Sequence, residues 1–450
     1  MEMQGLERFM EERGKRDKGY IIREFRAGFA TFLTMSYILF INPNILSEAI
    51  TLEGVNLWPQ LMSATALAAA FGSLLMGLFG RRPFALAPGM GLNAYFTYSV
   101  VLGQGMPWQA ALGAVFFSGL LFLVISLVGL RELLINAIPV PLKHAITAGI
   151  GCFLATIGLV NAGLVVDHPV TLVTMGSLRE PGPLIALFGL ILTVVLLVFE
   201  FKGAVLVGIL GSTLAAIAMG AEVFQGQAFQ GFSEGFIRMP VWPKDLFLAL
   251  DLGGALELGA LSIIFTFLFV DFFDTAGTLI GLSHRAGLLD EQGKMTGARA
   301  AFSVDALATS FGALLGTSST TSYIESAAGI QEGGRTGLTA IAVAFFFLLS
   351  LFFWPLASAV PAAATAPALV VIGAMMLFST SNIDWNNYKQ SLPALLTILG
   401  IPLTYSITNG ISLGLISYCL IHLFTGRARE VHFLMYILTA LLLIRFALAG

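Results

Sequence analysis

Runs of about twenty apolar residues follow one another along almost the whole chain, parted by short polar interruptions, and this feature leaves few folds open. A membrane-crossing helix needs about 20 largely apolar residues, and the interrupted helices of transporters are shorter. By that measure the sequence predicts spans at 25–45, 60–80, 91–102, 107–129, 143–162, 183–200 and 203–220. After a long polar stretch it predicts seven more, at 257–281, 298–314, 323–331, 336–356, 363–380, 389–407 and 411–425. The further run 431–448 reads as an extra carboxy-terminal apolar helix, either a fifteenth crossing or a helix lying in the interface. The expectation is an all-α polytopic membrane protein with 14 transmembrane segments.

Composition agrees. Hydrophobic residues make up 57% of the chain and charged ones 11%, where a soluble domain carries about 25% charged residues. The two cysteines, Cys152 and Cys419, both lie in apolar stretches, which argues against a disulfide framework or a Cys-rich metal site. No P-loop, zinc motif or basic nucleic-acid surface is evident, so no cofactor, metal or nucleic-acid partner is expected. Residues 1–24 are mixed in charge and read as a cytoplasmic segment of a cell (inner or plasma) membrane protein rather than a cleavable signal.

The distribution of basic residues tests the topology. With the amino terminus inside, alternate loops collect Arg81 and Arg82, then Arg131 and Lys143, then Lys202. In the second half the inside loops hold His284, Arg285, Lys294, Arg299, Arg335, Lys389, Arg427 and Arg429. The outside loops hold fewer, chiefly Arg179, Arg238 and Lys244. Lys143 and His144 read as interfacial anchors, and Glu200 with Lys202 as a solvated inside turn.

The halves also resemble each other. TFLTMSYILFINPNIL from Thr31 matches TFLFVDFFDTAGTLIG from Thr266, and AFGSLL (70–75) matches SFGALL (310–315). The stretch 85–97 parallels 316–326, and 139–153 parallels 361–375, with Gly151 against Gly373. Any one match could arise between two apolar helices by chance, but four in the same order point to a repeat. Seven spans per half would invert the second copy in the membrane, as in carriers that alternate access between two faces.

Polar chemistry enters at equivalent places in the halves. PGMGLNAYFTY (88–98) and GTSSTTSYIESAAG (316–329) each put an extended, small-residue stretch before a short helix. Such an arrangement directs backbone N–H groups to mid-membrane depth, where protein must surround them. VDFFDT (270–275) sets Asp271 and Asp274 three residues apart within a span, on one side of a helix. An ionisable residue in the bilayer is costly and usually marks a substrate or ion pathway. Glu325 opens the second short helix, beside Ser322 and Tyr323, while Thr275 follows Asp274. Asn93 could donate and accept across its amide, which suits the edge of a heterocycle. These carboxylates suit a group that exchanges protons or one that accepts hydrogen bonds from an N–H-rich ligand. A satisfied helix–helix hydrogen bond is the ordinary alternative for each. Asp305, in AFSVDALATSFG, fits the site or a structural role equally.

The segments TFLTMSYILFINPNILS, ALAPGMGLNAYFTYSVV, FLFVDFFDTAGTLIG and GTSSTTSYIESAAGI resemble the signature segments of the AzgA-like purine permeases, carriers of adenine, guanine and hypoxanthine within the nucleobase–cation symporter superfamily. The resemblance covers nearly the whole chain. It implies a seven-plus-seven inverted repeat with two short segments preceded by extended strands. It also implies a core domain at 25–129 and 257–356 and a gate domain at 143–220 and 363–425, with 431–448 outside that plan. By motif, Asp271 and Asp274 match the acidic positions of the eighth span, Glu325 that of the tenth, and Asn93 the asparagine of the third. The expected binding set is Asn93, Asp274, Thr275, Ser322, Tyr323 and Glu325, with Asp271 or Asp274 carrying the coupled proton. The expected partners are a purine base, a proton and membrane lipid, and homodimers occur in the superfamily.

Other functions fit less well. An anion carrier would favour Lys, Arg or bare helix amino termini in its site, yet three acids enter this one. A channel would show rings of filter residues. An enzyme would need a nucleophile–base pair or a metal cluster, which five scattered histidines and two isolated cysteines do not supply.

Overall fold

The protein is seen in a computed structural model that describes residues 18–128, 138–224, 226–231, 235–257, 260–290 and 295–449. Most of the amino-terminal segment, and Arg131 and Lys294 of the expected inside loops, lie outside the described residues. Among the described residues, nine helices are long and apolar enough to cross a membrane, and Ala204–Ala218 is a shorter apolar helix.

In chain order the first half holds α1 (Lys18–Met35), α2 (Ile38–Ser47) and α3 (Trp58–Leu75). Strand β1 (Leu86–Pro88) follows, then α4 (Met90–Ala94), which continues as a π-type helix through Tyr95–Gly103. After α5 (Trp108–Val128) and α6 (Val140–Asn161), strands β2 (Val165–His168) and β3 (Leu172–Met175) form an antiparallel hairpin that the hydropathy pattern does not announce. Helices α7 (Pro181–Val198) and α8 (Ala204–Ala218) close this half.

The second half opens with α9 (Ala260–Ala286) and α10 (Ala298–Leu315), followed by β4 (Thr320–Ser322) and the short α11 (Ser326–Gln331). Then come α12 (Gly337–Ser350), α13 (Trp354–Ser358), α14 (Ala362–Leu377), α15 (Tyr388–Leu403), α16 (Ile407–Phe424) and α17 (Phe433–Ala449).

Several boundaries move from their sequence positions for local reasons. The stretch 389–407 stops as a helix at Leu403, because the Ser406 hydroxyl caps the next one by accepting from the Asn409 N–H at 3.3 Å. Helix α9 runs on to Ala286, with His284 and Arg285 in its last turn, where positive charge meets the helix dipole favourably. The 323–331 stretch opens with a turn at Ile324 and Glu325 and becomes helical only from Ser326. The run 431–448 is a helix that packs on α16.

Two relations join the halves. Strands β1 and β4 pair antiparallel, Leu86 with Ser322, Ala87 with Thr321 and Pro88 with Thr320, so segments 234 residues apart (Leu86 to Thr320) meet about a local two-fold. Helices α6 and α14 cross at glycines: a Cβ on Gly151 would stand 2.6 Å from the Gly373 carbonyl oxygen, and one on Gly373 would strike Gly151 in turn. Small residues at a crossing let two backbones approach closely, so that van der Waals packing helps hold the helices together in lipid. The same reasoning applies where Gly77 of the first half meets Gly337 at the start of α12.

Candidate functional site

A cavity of about 490 Å³ lies beside the β1–β4 pair. One wall comes from the strands and the helices around them: Tyr37, Gly89, Asp274, Thr321, Tyr323 and Glu325. The facing wall comes from α6 and α14 and includes His144, Thr147, Ile372, Met375 and Met376. Among the described residues, no Lys or Arg lines it.

The strands exist because each short helix needs its approach fixed. The Gly89 N–H donates to Ser319 O at 2.8 Å, the Tyr323 N–H to Ala85 O at 2.9 Å, and the Ala85 N–H to Ser326 Oγ at 2.9 Å. These bonds satisfy backbone groups that lipid could not, which is the condition for irregular backbone inside a membrane protein. The Tyr323 hydroxyl donates to Pro88 O at 2.5 Å, tying the side chain of one strand end to the backbone of the other.

Glu325 sits at the amino end of α11, and its Oε1 accepts from the Tyr37 hydroxyl at 2.5 Å. Tyr37 occupies the break between α1 and α2, where the first span pauses for two residues. Sequence reading missed it, since one tyrosine in TMSYILF looks like core. The signal available was the polar pair Ser36–Tyr37 in an apolar stretch that matches the span bearing the aspartates.

Asp271 and Asp274 part company. At 3.6 residues per turn, positions three apart lie about 60° apart around the axis. That is enough for Asp274, with Gly277 and Thr278, to face the cavity while Asp271 and Thr275 turn toward α10. Asp271 is 1% exposed; its Oδ2 accepts from Thr309 Oγ1 at 2.8 Å, and its Oδ1 has no partner among the described residues. Thr275 donates to Asp305 Oδ2 at 2.6 Å and lies 2.9 Å from Thr321 Oγ1.

Asp305, left open by the sequence, is fully buried behind the site. Its Oδ1 accepts from the Ser322 N–H at 2.8 Å and from the Ser322 hydroxyl at 2.7 Å. With Thr275 on its other oxygen, Asp305 ties α9, α10 and β4 together directly behind Asp274 and Tyr323.

Of the expected binding set, then, Asp274, Ser322, Tyr323 and Glu325 line the cavity, and Thr275 and Asn93 stand outside its lining. Asn93 is fully buried on α4, where its Oδ1 accepts from the Ser318 hydroxyl and its Nδ2 has no partner among the described residues. The expected interfacial pair also divides. His144 lines the cavity, while the Lys143 ammonium stands 5.7 Å from the centre of the Phe273 ring. Lys202 is more than a solvated turn residue: it pairs with Glu332, which Arg26 also holds at 3.1 Å. None of the ion pairs found among the described residues reaches Asp271, Asp274, Asp305 or Glu325, and no cluster of metal-ligating side chains occurs among the described residues.

At its other end, the cavity's facing wall is fastened to the first half. Helix α6 carries His144 at the cavity and Asn161 at its far end, 17 residues on, about 25 Å away at 1.5 Å per residue. There Asn161 Nδ2 donates to Tyr98 Oη at 3.3 Å, and Tyr98 donates to Glu48 Oε1 at 2.8 Å. Helix α14 repeats the pattern: Thr365 near its start accepts from Asn44 Nδ2 at 3.1 Å, while Met375 and Met376 near its end line the cavity.

Comparison with known proteins agrees with this architecture. Residues 23–413 match the model of the Permease family. The chain is 43% identical to the guanine/hypoxanthine permease PbuO of Bacillus subtilis, across 96% of this chain and 98% of that one. It is 42% identical to the adenine permease AdeP of Escherichia coli, across 90% of this chain and 88% of that one. Among solved structures, the transmembrane domain of the cyanobacterial bicarbonate transporter BicA superposes with a TM-score of 0.64 at 16% identity, covering 87% of this chain and 96% of that one. That likeness concerns the fold, one of long apolar helices shared with inverted-repeat transporters, and carries no substrate. The chain is a multi-pass membrane transporter, not an enzyme, and it belongs to the permease family, on the AzgA-like branch that its signature segments resemble.

Proposed function

We propose that this chain carries purine bases into the cell by secondary active transport, with a proton moving alongside each base. The observation that bears the most weight is the presence of two carboxylates, Asp274 and Glu325, on one wall of a cavity that no Lys or Arg among the described residues lines. A purine base offers ring and exocyclic N–H groups, which carboxylates accept; an anion would meet repulsion there. PbuO and AdeP lend the substrate class. The chain stands about equally near to both, at 43% and 42% identity, so the comparison does not rank guanine, hypoxanthine and adenine.

In this reading the fourteen spans form two inverted sevens, with the amino terminus in the cytoplasm. The 234-residue offset of the paired strands and the Gly151–Gly373 crossing support that plan. The core, 25–129 and 257–356, presents the strands and acids; the gate, 143–220 and 363–425, presents the facing wall. Asp274 and Glu325 accept from the base, with Tyr323, Ser322 and the strand backbone shaping the pocket. Thr275 and Asn93 act from behind, by holding Asp305 and Ser318. Asp271 carries the proton: it is buried, has no cation partner, and keeps one oxygen without a hydrogen bond. Coupling requires that its proton affinity differ between the loaded and empty carrier. The gate's bonds to Tyr98 and Asn44 close the face opposite the open cavity and break when access changes.

The test is uptake of radiolabelled adenine, guanine and hypoxanthine into proteoliposomes under an inward proton gradient, for the wild type, Asp274→Asn and Glu325→Gln. Accumulation that a protonophore abolishes, and that both variants lose, is the expected result. A folded protein that takes up none of the three bases would exclude the purine assignment.

A further inference from the structure

The mechanism above uses the acids of one wall and leaves the opposite wall without a chemical part. A purine edge is not made of donors alone. Adenine, hypoxanthine and guanine all present ring nitrogens with lone pairs, and the oxo purines add a carbonyl. Carboxylates cannot serve those atoms, because lone pair would face lone pair.

Beside the acids, the strand wall offers the Thr278 hydroxyl of α9, while its other hydroxyls are spent within the wall. The Tyr37 hydroxyl gives its proton to Glu325, that of Tyr323 to Pro88 O, and that of Ser322 to Asp305. On the facing wall the Thr147 hydroxyl donates to its own helix, to Lys143 O at 3.3 Å, and Ile372, Met375 and Met376 are apolar. Two polar side chains are left there: Ser379, just past the end of α14, with a hydroxyl that rotates, and His144, with a planar ring whose donor and acceptor have fixed directions. His144 is partly exposed, lines the cavity from the first turns of α6, and is the only imidazole on the lining among the described residues. A neutral imidazole donates through one nitrogen and accepts through the other, so it supplies what the acids lack.

We propose that His144 is the gate-side specificity residue of the base site: its ring N–H donates to a lone pair on the purine edge turned away from Asp274 and Glu325. This rests on the reading of the cavity as a purine site. Each base is gripped from two sides by unlike chemistry, carboxylates on the core and an imidazole on the gate. A base that turns a donor toward His144 must use the other tautomer of the ring, so the residue weights the bases against one another. Because the ring stands on the wall that moves relative to the acids, its bond forms only when the two walls face each other across the ligand.

The experiment is equilibrium binding of radiolabelled purines to the purified full-length protein in nanodiscs, for the wild type, His144→Ala and His144→Gln. The panel is adenine, hypoxanthine, guanine, unsubstituted purine, and the 1-, 3- and 7-deaza analogues, each of which replaces one ring nitrogen by C–H. His144→Ala is expected to weaken the natural bases roughly tenfold, the size of one lost hydrogen bond. For the one analogue that lacks the contacted acceptor, wild type and His144→Ala should bind alike. His144→Gln, which keeps a side-chain donor, should recover most of the loss. Uniform weakening of every analogue by His144→Ala would assign the residue to the shape of the cavity and overturn the proposal, as would no weakening at all. If the wild type binds no purine, the underlying reading fails at the first measurement, before any variant is compared, and the proposal falls with it.

Discussion

The hydroxyl of Tyr37, in the break of the first span, donates to Glu325 Oε1 at 2.5 Å across 288 positions of sequence. This bond joins the two halves at the cavity wall. It fixes the carboxylate in one orientation on the cavity lining. Tyr37→Phe keeps the ring and removes the donor. Hydrogen bonds to charged groups contribute about 1.5–3 kcal/mol, so the affinity for base is expected to fall by about tenfold or more, with the amount of folded protein in the membrane unchanged. Binding and expression measured side by side check this; unchanged affinity would mean that Glu325 holds its place without Tyr37.

Asp271 and Asp274 have separate parts in the proposed cycle, and a single pair of variants separates them. Asp271→Asn should abolish accumulation driven by a proton gradient yet leave exchange of labelled for unlabelled base, since that residue faces α10 rather than the cavity. Asp274→Asn should lose both. Counterflow and gradient-driven uptake in the same liposomes give the answer, and loss of exchange in both variants would contradict the division.

Asp305 is a positioning residue. Its carboxylate accepts three hydrogen bonds, from the Ser322 N–H, the Ser322 hydroxyl and Thr275. Asp305→Ala strands those donors in a fully buried place, where an unsatisfied group costs about 1–3 kcal/mol. Thermal unfolding in detergent should move to lower temperature for Asp305→Ala, and by less for Asp305→Asn, which keeps one acceptor oxygen. An unfolding temperature equal to that of the wild type would mean that the strand does not depend on this anchor.

The crossing of α6 and α14 admits no side chain at Gly151, where a Cβ would stand 2.6 Å from Gly373 O. Gly151→Leu should therefore spread the helices and yield little folded protein, whereas Gly182→Ala, at a position with no heavy atom within 4 Å of an added Cβ, should express as the wild type does. Size-exclusion profiles of the two variants make the comparison.

The hydrogen bonds of Asn161 to Tyr98 and of Asn44 to Thr365 fasten the gate helices at the end away from the cavity. Replacing both donors, as Asn161→Ala with Asn44→Ala, should raise the share of carriers open on that face. A cysteine introduced at Ile157, buried one turn before Asn161 on α6, is expected to react faster in this background with a membrane-impermeant thiol reagent than the same cysteine with Asn44 and Asn161 intact. Equal rates would mean that these bonds do not hold the face closed.

Much of this protein could be read along the chain, because what places a segment in a bilayer is a sum over its own residues. Hydropathy located the long spans, and the cost of a buried charge singled out Asp271, Asp274, Asp305 and Glu325 before any fold was known. What the sequence left undecided is which way each of these side chains turns. Positions three apart on one helix are near neighbours in sequence logic, yet about 60° of rotation sends Asp274 to the cavity and Asp271 to Thr309. Thr275 and Asn93 carry suitable chemistry but spend it on Asp305 and Ser318. Tyr37 and His144 look like a core aromatic and an interfacial anchor until the helices are assembled, when both line the same cavity. Local sequence determined that this chain enters the membrane and where its costly polar groups lie along it. Tertiary packing alone decided which of those groups share a cavity, because helix rotation and the meeting of segments more than two hundred residues apart depend on contacts between halves that no single stretch encodes.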